Sequence, residues 1–162
     1  MYSLANNTNI NLLGASFKIG QKIDGVQLSP SIIRSNGLFT SSASPRPITD
    51  FGNIEHTNIN SNNFGLAYKK LYLASLNMLN NTGLNFFLGG DHSVSFATIS
   101  ALLKKYPELR VIWVDAHGDI NTPSSSPSNN LHGMPLAGLT GLIPNNTWSN
   151  FEWMNDIQLP PD

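Results

Sequence analysis

The sequence has 162 residues, 40% hydrophobic and 12% charged, with a formal net charge of −1 and no Cys. That length fits one domain or part of one, and the apolar content is too high for a disordered chain. The weak charge argues against a nucleic-acid partner, the missing Cys excludes disulfides and thiolate chemistry, and no apolar run approaches the ~20 residues of a membrane span.

The start, Met1–Asn7, lacks the basic and then apolar regions of a signal peptide, so a cytoplasmic location is expected. Asn9–Ala15 reads as a first short strand. Gly20, Gly25 and Pro30 punctuate a loop. Ser29-Pro30 then opens a short helix over Ser31–Ser35 that stops at Asn36-Gly37. Thr40–Pro47 and Asn53–Asn63 are rich in Ser, Asn and Pro and read as a long surface loop, with His56 a plain solvated histidine.

Phe64–Leu79 is the clearest helix, because Leu66, Leu73, Leu76 and Leu79 keep helical spacing and Asn80–Gly83 ends it. Leu84–Leu88 is a short apolar run bounded by Gly and reads as a buried strand. Ser93–Tyr106 is helical again, with Val94, Ile99, Leu102 and Leu103 toward the core. Val111–Val114 is apolar on both faces, as parallel strands are. Strand, helix and strand make a βαβ unit with a right-handed crossover, and such sheets bind ligands at the carboxyl ends of their strands.

Both predicted strands end in ionisable residues. The first ends Gly89-Gly90-Asp91-His92-Ser93 and the second Asp115-Ala116-His117-Gly118-Asp119. In an extended segment Asp115, His117 and Asp119 project to one side, ~6–7 Å apart, and His92 on a neighbouring strand reaches the same space. Two or three carboxylates gathered with two imidazoles in one pocket are costly without a cation, because like charges repel and the carboxylates cannot all ionise freely. Mixed imidazole and carboxylate donors suit Zn, Fe or Mn, and two such ions can share an activated water. Asp91 alternates away from His92 and reads as a residue orienting a ligand or backbone, not as a ligand itself.

These motifs, with Asp119-Ile120-Asn121-Thr122-Pro123 and Ser128-Asn129-Asn130-Leu131-His132-Gly133-Met134-Pro135, resemble the arginases of the ureohydrolase superfamily. The resemblance runs in order along nearly the whole chain. It implies an α/β fold, a three-layer αβα domain with a mainly parallel sheet, of which residues 1–162 form an incomplete part. It implies manganese-dependent hydrolysis of L-arginine to L-ornithine and urea by a metal-bridging hydroxide, with two Mn(II) per complete site. His92, Asp115, His117 and Asp119 match metal ligands, and His132 matches a proton-shuttling histidine. Asn121, Ser126 and Ser128 match positions that bind the amino-acid end of the substrate.

The family pattern also contains a later Asp-x-Asp segment, which this sequence lacks. The chain is therefore expected to be the N-terminal part of the domain and to carry part of the site. Trp148, Phe151 and Trp153 read as ordinary core aromatics. The complete protein is expected to be a homo-oligomer, with no nucleic-acid or membrane partner. Two alternatives stay open: a catalytically inactive homologue that binds full-length subunits, and a related ureohydrolase such as an agmatinase.

Overall fold

The computed structural model describes residues 8–40, 44–56, 63–144 and 146–160. A parallel sheet of three strands runs in the order β2–β1–β3, with β1 at Ile10–Ser16, β2 at Ile48–Glu55 and β3 at Leu84–Gly89. Four α-helices accompany it: α1 at Ser29–Ser35, α2 at Phe64–Met78, α3 at Ser95–Lys105 and α4 at Pro135–Leu139. Among the described residues, no helix is long and apolar enough to cross a membrane.

β1 takes the centre because its side chains suit burial on both faces. Leu12, Leu13 and Ala15 are fully buried. Asn11 is buried too, and its amide is satisfied by donating to Asn85 Oδ1 across the β1–β3 pair at 3.0 Å. Successive residues point to opposite faces. Leu13, Ala15 and Phe87 face the main core with α2 and α3. Gly14 faces the other way, against Arg34 of α1 and Asn53. The result is the expected three-layer αβα arrangement around a parallel sheet.

β2 overturns the loop reading at its start. Asn53, Ile54 and Glu55 pair with Gly14, Ala15 and Ser16. A bulge between Asp50 and Asn53 hides the strand, because the register shifts there and Gly52 takes a left-handed φ of 74°. Phe51 and Ile54, three apart, then both pack on the core, which defeats a period-two reading. Residues 41–43 and 57–62 of the expected loop lie outside the described residues. Arg34 binds β2 to α1, donating through Nε and a terminal nitrogen to both Asp50 oxygens at 2.7 and 2.8 Å.

α2 forms where expected, on a different face. Tyr68, Leu71, Tyr72, Ser75 and Met78 are its buried side chains, while Leu66 and Leu73 are half-exposed. α3 buries Phe96, Ala97, Thr98, Ser100, Ala101 and Leu103, with Ile99 and Leu102 only partly covered. The two helices close on an aromatic cluster. Phe151 sits 5.6 Å from Tyr68, 5.7 Å from Phe96 and 5.4 Å from Trp148, ring centre to ring centre, so the core role expected of it holds.

Val111–Val114 is not a strand here. The segment runs without ladder bonds, and Ile112 and Val114 are 90% and 91% exposed. An apolar run becomes a buried parallel strand only with a layer on each face. The described residues cover one side, where Trp113 is tucked in. A cleft of about 460 Å³ opens between β3 and Val114-Asp115.

Candidate metal centre

The site grows from the carboxyl end of β3. The Gly90 N–H donates to the Ala15 carbonyl at 3.0 Å and the Asp91 N–H to the Phe17 carbonyl at 2.9 Å. A Cβ at Gly90 would lie 1.9 Å from that Phe17 oxygen, so only Gly lets the two backbones approach this closely. The chain then enters a 3-10 turn, His92–Val94, capped by Asp91 through the Ser93 N–H. His92 opens this turn, above the sheet end. Trp113 lies flat against its imidazole, with ring centres 4.7 Å apart and planes 28° apart.

The second arm is Asp115–Asp119. It does not keep the extended form expected from the sequence. It bends through residues 115–117, and Asp119 adopts a left-handed φ of 46°. Asp119 is buried, and its carbonyl accepts the Leu136 N–H of α4 at 3.0 Å. This bend, rather than strand alternation, brings its carboxylate back to His92. His92 Nδ1 lies 2.6 Å from Asp119 Oδ2 and 3.1 Å from Asp115 Oδ2. One donor atom from each of the three residues falls within 4.8 Å of the others.

His117 stands apart. Its side chain is 82% exposed at the mouth, with Nδ1 3.5 Å from Asp115 Oδ1. Its backbone contributes more, because the His117 N–H donates to Asp115 Oδ1 at 2.9 Å. That bond, helped by His92 nearby, holds the Asp115 carboxyl below the usual carboxylate range and favours its ionised form.

One cleft of about 520 Å³ is lined by His92, Asp115, His117, Asp119, Asn121, Ser126, Ser128 and His132 together. His132 sits in a 3-10 turn, Leu131–Gly133, whose Gly133 carbonyl accepts the Asn121 N–H at 3.1 Å. The loop between is held by its own side chains. Ser126 Oγ accepts the Asn129 N–H at 3.1 Å and Ser128 Oγ the Asn130 N–H at 3.3 Å.

The donor set suits a cation. Two carboxylates and an imidazole converge at hydrogen-bond distance, an arrangement that like charges oppose unless a proton or a metal sits among them. Mixed nitrogen and oxygen donors of this kind fit first-row divalent ions.

The Arginase family model matches residues 8–151. The chain belongs to the arginase family. It is 34% identical to rabbit (Oryctolagus cuniculus) arginase-1 over 93% of this chain and 51% of the rabbit protein. The crystal structure of arginase from Bacillus subtilis shares 37% identity at a TM-score of 0.73, over 82% of this chain and 46% of that one. The Entamoeba histolytica arginase structure, in complex with L-ornithine, superposes at a TM-score of 0.78 with 28% identity, over 96% of this chain and 56% of that one. The chain thus spans about half the length of these arginases.

Two features of the structure were not legible in the sequence. Trp113 belongs to an apolar run, and nothing in that run distinguishes a ring stacked on His92 from a core residue. His56 is not solvated. It is half-buried, edge-on to Phe17 at 4.8 Å, and burial pushes its pKa down.

Proposed function

We propose that this cleft is part of the active site of a manganese-dependent arginase, which hydrolyses L-arginine to L-ornithine and urea. The observation that carries the reading is the convergence of His92, Asp115 and Asp119 in the same cleft as His117, Asn121, Ser126, Ser128 and His132. His92, Asp115 and Asp119 would hold Mn(II) directly, and His117 would join them from the mouth as a ligand of a second ion. Divalent ions bound there supply a water-derived nucleophile near neutral pH, which bulk water cannot.

The chain's own residues do the rest. Asp115, kept ionised by the His117 N–H, brings negative charge to the cation site. Trp113 fixes the plane of the His92 ring. Asn121, Ser126 and Ser128 hold the α-carboxylate and α-amino end of the substrate, which leaves the guanidinium end toward the carboxylates. His132, on the wall of the same cleft, carries a proton at its imidazole for the departing amine. The L-ornithine held by the Entamoeba histolytica arginase supports a product of that shape. The reading keeps a cytoplasmic location and a homo-oligomeric complete protein.

The test is urea release from L-arginine and from agmatine, which lacks the α-carboxylate, by the chain extended through the later Asp-x-Asp segment, with Mn(II). Release from L-arginine alone, lost in His117→Ala, supports the proposal. Equal turnover of agmatine would make the protein a ureohydrolase of another specificity. Tight Mn(II) binding without urea would favour a non-catalytic family member.

A further inference from the structure

We propose that Asp91 is a positioning residue that holds His132 in register with the His92–Asp115–Asp119 group, acting through Gly20. The inference rests on the roles proposed above for His92 and His132, and it concerns how the fold sets one against the other.

Capping the His92 turn needs only one acceptor for the Ser93 N–H, and Asp91 Oδ1 supplies it at 2.8 Å. The other oxygen is directed elsewhere. Oδ2 accepts the Gly20 N–H at 2.8 Å, across 71 positions of sequence. The Gly20 carbonyl in turn accepts the His132 N–H at 3.1 Å. Two hydrogen bonds therefore connect the residue beside His92 to the backbone of His132, and the 3-10 turns that carry the two histidines are tied to one another through the loop after β1.

The connection is close-packed. A Cβ on Gly20 would meet Asp91 Oδ1 at 2.4 Å and Ser93 Oγ at 2.7 Å. Behind it, the Tyr68 hydroxyl donates to Ser93 Oγ at 2.5 Å, and the Ser93 hydroxyl donates to Asp91 Oδ1. Burial keeps the Tyr68 phenol protonated and so a donor. Asp91, Ser93 and Tyr68 are all buried, where an acceptor that loses its donors is costly. The carboxylate thus has donors on both oxygens and little freedom to move.

The experiment is amide hydrogen exchange by NMR on the full chain. In Asp91→Asn, the amide that replaces the carboxylate cannot accept on both sides. Exchange at Gly20 and His132 should quicken at least about tenfold, while Leu13 and Ala15 in β1 stay protected. Ser93→Ala removes one donor to Asp91 but leaves the Gly20 bond, so His132 protection should hold. Gly20→Ala forces the same contact apart from the other side and should expose His132 again, which keeps the proposal testable if Asp91→Asn does not fold.

Unchanged His132 protection in Asp91→Asn, or in Gly20→Ala where the first variant is unfolded, overturns the proposal. So does loss of His132 protection in Ser93→Ala to the same degree, since Asp91 would then act only as a cap. Mn(II) titration of the wild-type chain separates the two readings. No Mn(II) binding, together with lost His132 protection in Asp91→Asn, would reject the metal site and leave the tether standing.

Discussion

Truncating Phe151 to Ala tests whether the aromatic cluster holds this chain together. Phe151 is 2% exposed and its ring is surrounded by Phe64, Tyr68, Phe96, Trp148 and Trp153, with centres 5.4–5.9 Å away. These partners come from α2, α3 and the segment after α4, so no single element can close the gap. Phe-to-Ala changes in cores cost ~3–5 kcal/mol, and a site this enclosed belongs near 4. That is a large share of the ~5–15 kcal/mol that stabilises a domain. At a urea slope of ~2 kcal/mol per molar, the midpoint should fall by about 2 M. Far-UV circular dichroism is the right probe, because Trp148 and Trp153 lie against the altered ring and their fluorescence would change without unfolding. Phe151→Leu should lose only ~1–2 kcal/mol. A loss below ~1 kcal/mol for Phe151→Ala, with the slope unchanged, would refute the packing described for the three elements.

Two pH predictions follow from groups outside the cleft. Burial lowers the His56 pKa, so the unfolded chain takes up the proton first; stability should fall as pH drops from about 6.5 toward the folded value, and His56→Phe should flatten that slope in urea titrations. Arg34 lowers the Asp50 pKa by hydrogen bonding both oxygens, so that pair's contribution is present above pH ~4 and lost as pH falls through the folded value. The gap in urea midpoint between wild type and Arg34→Gln should therefore be constant above pH ~4.5 and shrink below pH ~4. A third prediction concerns close approach at the site. Gly90→Ala puts a methyl group 1.9 Å from the Phe17 carbonyl, and it should cost ~3 kcal/mol or more and weaken Mn(II) binding, read by thermal melts with and without metal.

The parts of the fold that were legible in the sequence are those where one local signal decides. β1 and β3 are apolar runs with turn residues at their ends, and α1 is framed by Pro30 and Asn36-Gly37. What escaped depends on long-range structure. β2 is disguised by its bulge at Gly52, which breaks the alternation that marks a strand. The buried face of α2 is set by Tyr68 and Tyr72 meeting aromatics from residue 148 onward, not by the exposed Leu66 and Leu73. At the site, the sequence brought His92, Asp115 and Asp119 to one place for a reason that does not hold. The chain is not extended there, and the left-handed backbone of Asp119, held by the first turn of α4, does the gathering. No spacing rule anticipates that bend, nor the Trp113 ring on His92.

The most direct test of the metal centre is a Mn(II) titration of this chain followed by electron paramagnetic resonance, with Asp119→Asn and His117→Ala beside wild type. Asp119 is buried at the heart of the donor group and His117 is exposed at its edge. The expected result is saturable binding that weakens at least about tenfold in Asp119→Asn and by less in His117→Ala. Equal affinity in wild type and Asp119→Asn, or no saturable binding at all, would contradict it.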